Sequence, residues 1–212
     1  MGHLFLQGPI GIGKSHLLRK LLLPHLDLVG GYFVQRIYEK DRDRAFSLIP
    51  ISDAEGFVPE KSVERMEPDE RTFLYSRGGK WHVLKNVFEI QGTAFLQAGV
   101  RNGKKLILLD EIGGIELDCP VFMETVLGVL ESGVPTLGVL KSEQNRAIQN
   151  KVIQNRVVQN RRPALQNANE VDGRSYLEKI RNHPGIRLCN ISAENYSKIE
   201  KMAEAFIKAA MQ

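Results

Sequence analysis

The sequence predicts an α/β fold, a mostly parallel sheet flanked by helices and carrying a β-hairpin-rich insertion. Strand-like and helix-like stretches alternate along most of the chain. Lys105-Leu106-Ile107-Leu108-Leu109 is nearly all apolar, as a parallel strand covered on both faces must be. A glycine-rich turn, Gly8 to Gly13, joins an apolar strand to a helical run, the usual opening of such a sheet.

The elements follow in order. His3 to Gln7 reads as a short buried strand, and His16 to Leu23 as a helix stopped at Pro24. Gly31 to Tyr38 is a second strand, with Ala45 to Ile51 as its hairpin partner across the polar turn Lys40-Asp41-Arg42-Asp43. Thr72 to Ser76 and Lys80 to Leu84 form a further hairpin around Gly78-Gly79. Residues 88–100 are helical and end at Asn102-Gly103. After the buried strand at 105–109, a helix starts at Pro120 and ends at Ser132-Gly133, followed by a strand from Val134 to Leu140. A helix near Arg174 to Asn182, a strand Ile186 to Cys189 and a helix Ala193 to Met211, with Ser192 as N-cap, complete the chain. The expected organisation is one domain over 1–212, with a β-rich insertion at about 40–86 and a basic low-complexity excursion at about 143–168.

Composition bounds the class. The 212 residues are 42% hydrophobic and 25% charged, which excludes a disordered or fibrous chain. The longest apolar runs, Leu21 to Leu23 and Leu106 to Leu109, are far too short to span a bilayer, so no membrane partner is expected. A turn at Gly8 sits where the apolar core of a leader peptide would lie. Only two cysteines, Cys119 and Cys189, argue for a reducing compartment, so a cytoplasmic location is expected. The net charge of +4 is concentrated in one place, because Lys141 to Arg162 carries +5 and the remainder −1. A nucleic-acid contact through 141–162 is therefore conceivable but not favoured. In that segment Gln-Asn pairs recur every five residues, at 144, 149, 154 and 159. Five residues advance a helix by about 140°, and an odd period alternates faces in a strand, so neither geometry buries a coherent face.

The chemistry is concentrated in two short segments. Gly8-Pro9-Ile10-Gly11-Ile12-Gly13-Lys14-Ser15 fits G-x-x-x-x-G-K-[ST], the Walker A phosphate-binding loop. Its glycines let the backbone curl so that successive N–H groups face the phosphates, and the following helix adds its N-terminal partial charge. In that frame Lys14 reaches the β- and γ-phosphate oxygens, Ser15 is a Mg²⁺ ligand, and the backbone N–H of His16 meets an α-phosphate. Leu106 to Leu109 then delivers Asp110 and Glu111 to the end of a buried strand. Asp110 is placed to hold Mg²⁺, directly or through water, and Glu111 to act as general base on an attacking water. Lys141-Ser142 ends the next strand, where a polar group would sense a γ-phosphate or simply close the strand in solvent. The cysteines and the aromatics Phe73, Tyr75, Trp81 and Phe88 read as packing residues, and the histidines show no metal-ligand spacing.

Taken together, the loop at 8–15, Gly31-Tyr32-Phe33 and Asp110-Glu111-Ile112-Gly113-Gly114-Ile115-Glu116-Leu117 resemble the small cancer-related nucleoside-triphosphatase family. The resemblance covers roughly residues 2–141 and 174–211, and its Asp-Glu-Ile-Gly-x-x-Glu-Leu signature is met in full. It implies a RecA-like core and Mg²⁺-dependent hydrolysis of ATP, GTP and other nucleoside triphosphates to the diphosphate. It also implies that Glu111, and Glu116 with it, belong to the site. Val34-Gln35-Arg36 and Gly79 to Val83 depart from the family pattern, and the Gln-Asn repeat has no counterpart in it. No pattern identifies an arginine finger, so intrinsic turnover is expected to be slow, on the order of 10⁻³–10⁻² s⁻¹. Two other classes stay open at this level. One is a nucleotide or small-molecule kinase whose Arg156, Arg161 and Arg162 clamp phosphates, and the other a nucleotide-gated module that holds RNA.

Overall fold

The computed structural model describes residues 2–40, 42–53, 57–142 and 173–212. A nine-stranded sheet runs through them: β1 (His3–Gln7), β2 (Val29–Glu39), β3 (Arg42–Pro50), β4 (Glu60–Val63), β5 (Thr72–Arg77), β6 (Lys80–Val83), β7 (Leu106–Ile112), β8 (Thr136–Leu140) and β9 (Ile186–Asn190). The order across it is β6-β5-β3-β2-β7-β8-β1-β9, with β4 pairing off this path to β2. From β2 to β9 every pairing is parallel, and the β3, β5 and β6 side is antiparallel. The expected α/β class and mostly parallel sheet are therefore observed, and the residues of the 40–86 stretch extend the same sheet.

Five helices pack on the two faces: α1 (Lys14–Leu22), α2 (Thr93–Arg101), α3 (Pro120–Glu131), α4 (Gly173–Arg181) and α5 (Tyr196–Met211), counted among the described residues. Alternation along the strands divides the core in two. Leu4, Leu6, Leu106 and Leu108 pack with α1 and α5, while Phe5, Ile107 and Leu109 pack with α2, α3 and α4. Burial of both faces explains the apolar runs Leu4 to Leu6 in β1, Leu106 to Leu109 in β7 and Leu137 to Leu140 in β8.

Several boundaries differ from the sequence expectation. The first helix begins at Lys14, and after Leu22 the chain continues as a 3₁₀ turn through Pro24, since proline fits the first turn of a helix. A π-helical turn, Phe88–Gly92, precedes α2. Ser192 is not the cap of the last helix, which starts at Tyr196 after Asn195. The Asn195 side chain closes the loop instead, accepting from Ser192 N at 2.8 Å and donating to Asn190 O at 2.9 Å. The short strand β4 was not anticipated. The hairpin at Gly78-Gly79 was, and both glycines have positive φ, 58° and 74°. The Gln-Asn repeat and Arg156, Arg161 and Arg162 lie outside the described residues.

Candidate active site

The phosphate-loop segment leaves β1 at Gln7 and enters α1 at Lys14. Gly11 and Gly13 sit at φ +80° and +92°, a conformation that favours glycine, so the turn depends on those residue types. Gly8 is required for a different reason: a Cβ there would lie 2.5 Å from Ile191 O in the loop after β9. The helix begins with Leu17 N donating to Gly13 O at 2.8 Å, which leaves the preceding N–H groups free of intrahelical partners. The Lys14 side chain folds back over the loop, its Nζ donating to Gly8 O at 3.0 Å and Pro9 O at 2.8 Å. Burial lowers the Lys14 ammonium below its usual pKa, against the raising influence of Glu111 and Asp110. Ile10 is 62% exposed at the tip, Pro9 and His16 are also exposed, and Ile12 packs against the α1–α5 core.

Strand order brings the acids to this loop. β8 pairs with β1 on one side and β7 on the other, so the C-terminal ends of all three strands converge. Asp110 and Glu111 lie within β7 rather than just beyond it, and their peptide bond is cis. Ser15 Oγ donates to Asp110 Oδ1 at 3.3 Å, joining positions 95 residues apart. Asp110 is 2% exposed. Desolvation first, and then the neighbouring Glu111 carboxylate, push its pKa up to about 7, opposed by the Ser15 hydrogen bond and by Lys14 and Lys141. Glu111 is half-buried, and its Oε2 lies 3.7 Å from Lys141 Nζ.

Glu116 has a different role. Its Oε1 accepts from Gly113 N and, at 2.6 Å, from Gly114 N, so this buried carboxylate ties down the turn that follows the acids. Tyr32, on the β2 strand beside β7, is fully buried, and its hydroxyl has no partner among the described residues. Burial raises the Tyr32 pKa well above its usual value, with Glu116, Asp110 and Glu111 adding to the effect.

A family model described as NTPase matches residues 3–160. The chain belongs to the NTPase family. Among its relatives, the nucleoside-triphosphatase THEP1 of Thermotoga petrophila is 29% identical over 143 residues, covering 67% of this chain and 73% of the relative. The human cancer-related nucleoside-triphosphatase is 23% identical over 207 residues, covering 91% and 90%. Two solved structures share the fold. The crystal structure of THEP1 from Aquifex aeolicus superposes with a TM-score of 0.57 at 18% identity, covering 95% of this chain and 96% of that one. The solution structure of the human cancer-related nucleoside triphosphatase gives 0.59 at 19% identity, covering 99% and 98%.

In this NTPase the sequence-selected residues Gly8 to Ser15, Asp110 and Glu111 converge at one end of the sheet. The backbone tie made by Glu116 was not predicted, since it depends on the local turn at Gly113 and Gly114, and the approach of Lys141 to Glu111 was not, since it needs the β7–β8 pairing to be known. No trio of His, Cys, Asp or Glu side chains gathers as a metal cluster among the described residues. A site with one serine hydroxyl and one carboxylate nevertheless suits Mg²⁺, which usually takes one or two carboxylates and completes its shell with water and substrate phosphates. No helix is long and apolar enough to cross a membrane among the described residues. Both cysteines are free and buried, and burial pushes the Cys119 thiol up to about 12, as expected of packing residues.

Proposed function

We propose that this NTPase hydrolyses nucleoside triphosphates, ATP and GTP among them, to the diphosphate and phosphate in a Mg²⁺-dependent reaction of slow intrinsic turnover. One observation carries the reading: the Ser15 hydroxyl meets the Asp110 carboxylate at the mouth of a phosphate-type loop, with Glu111 one residue further on. Ser15 and Asp110 would hold Mg²⁺, and the ion, once bound, would neutralise charge on the β- and γ-phosphate oxygens. The loop backbone N–H groups and the N-terminal end of α1 hold the phosphates. Lys14 exchanges its two carbonyl acceptors, Gly8 O and Pro9 O, for phosphate oxygens. Glu111 orients a water towards the γ-phosphorus and takes its proton on a carboxylate oxygen. The water oxygen bonds to phosphorus as the bond to the bridging oxygen breaks, and that oxygen leaves with the diphosphate.

The test is phosphate release from ATP, GTP, CTP and UTP, with Mg²⁺ or with EDTA, by the wild type and Lys14→Ala. Release on the order of 10⁻³–10⁻² s⁻¹ is expected, and EDTA or Lys14→Ala should abolish it. Phosphorylation of an added nucleoside or monophosphate without free phosphate would replace hydrolysis by kinase chemistry.

A further inference from the structure

We propose that Lys141 is a γ-phosphate contact of this site: its ammonium rests on Glu111 until a nucleoside triphosphate binds, then moves to the terminal phosphate and frees the base. The inference rests on the hydrolytic reading above.

β8 lies between β1, which carries the phosphate loop, and β7, which carries the acids. The residue that follows β8 therefore emerges between loop and acids. Lys141 is that residue, and its backbone is held there, its N donating to Ile112 O at 2.7 Å. Gly113 makes room for the side chain: a Cβ on Gly113 would lie 2.9 Å from Lys141 Cβ.

The Lys141 ammonium is drawn out of water. The Lys141 side chain is 17% exposed, whereas Lys20 and Lys208, in surface ion pairs, are 70% and 69% exposed. A lysine withdrawn from water to this degree gives up solvation that only an anionic environment restores. Its partner is Glu111 Oε2 at 3.7 Å, longer than a direct hydrogen bond, so the ion pair is loose.

Charge balance favours the phosphate. A terminal phosphate brings more negative charge than one carboxylate and three acceptor oxygens, so it competes for a loosely held cation. When Lys141 leaves, Glu111 Oε2 loses its ionic neighbour and is open to an approaching water. A diphosphate does not reach the γ position and leaves the Lys141–Glu111 pair in place. Lys141 thereby couples the presence of the γ-phosphate to release of the base, and adds in cis the positive charge that phosphoryl transfer uses.

The experiment compares wild type, Lys141→Met, which keeps the stem without the charge, and Lys141→Arg. Each is assayed for single-turnover phosphate release and for binding of Mg²⁺ complexes of ADP and of a non-hydrolysable ATP analogue. For Lys141→Met the expected results are release slowed about 10²–10³-fold, analogue affinity reduced about tenfold, and ADP affinity unchanged. Lys141→Arg should recover part of both losses. Wild-type release and an unchanged analogue-to-ADP affinity ratio in folded Lys141→Met would overturn the inference. If Lys141→Met does not fold, Lys141→Gln takes its place under the same criteria. Failure of the hydrolytic reading is distinguishable, because it appears in the wild type as an absence of release, while the analogue-to-ADP ratio still decides whether Lys141 touches the terminal phosphate.

Discussion

Asp110 and Glu111 at the end of β7 and Glu116 in the turn beyond it are neighbouring acids with three separate environments. Asp110 is buried against Ser15, Glu111 faces Lys141, and Glu116 is occupied by the backbone N–H groups of Gly113 and Gly114. The sequence singled out the first two by their position after an apolar strand. It brought in Glu116 only through the family signature, because its role depends on a turn in which Gly113 sits at φ +121°. The assignments imply different mutational signatures. Glu111→Gln keeps shape and hydrogen bonding but removes the basic lone pair, and the attacking water gains negative character only as its bond to phosphorus forms. Turnover should fall roughly 10²-fold or more, with Mg²⁺-nucleotide affinity near the wild-type value. Steady-state kinetics beside equilibrium binding of a non-hydrolysable analogue checks this, and wild-type turnover would remove Glu111 from the mechanism.

β2 and β7 place Asp110, and their contact is closer than side chains allow. Gly31 pairs with Leu108 in the parallel ladder at φ +90°, and a Cβ there would lie 2.1 Å from Leu108 O. Phe33, two residues on, pairs with Asp110. Gly31→Ala should therefore cost about 3 kcal/mol or more, combining a strained φ with loss of strand pairing. Gly128 in α3 is the contrast, because a Cβ there meets nothing within 4 Å. Gly128→Ala should be neutral or stabilising, by up to about 1 kcal/mol. Urea midpoints of the two variants check the pair, and equal midpoints would refute the close-approach argument. Elements with strong apolar patterning, β1, β7, β8 and α3, were legible in the sequence. β4 was not, because Glu60, Lys61 and Ser62 are exposed and alternate nothing. The start of α5 was missed because Asn195, not Ser192, closes the preceding loop.

At the scale of the whole molecule, alternation of strands and helices fixes the class but not the strand order, since no periodicity records which strands are neighbours. That order puts β7, β8 and β1 side by side with β8 in the middle, so loop, Lys141 and acids meet across three strands. A Mg²⁺-nucleotide bridging them binds only the folded chain, because residues 14 and 110 have no fixed separation in the unfolded one. By mass action a non-hydrolysable triphosphate with Mg²⁺ at 100 times its Kd adds about 2.7 kcal/mol of stability. For a chain of this size each kcal/mol raises Tm by about 2–4 °C, so the melting temperature should rise on the order of 5–11 °C. EDTA should remove most of the shift, because without the ion Ser15 and Asp110 no longer share a ligand with the phosphates. Lys14→Ala should show little shift at the same nucleotide concentration. Scanning calorimetry of the full chain makes the measurement, and a shift that survives EDTA undiminished would mean that the nucleotide is held by the loop alone, with the β7 acids outside the binding step.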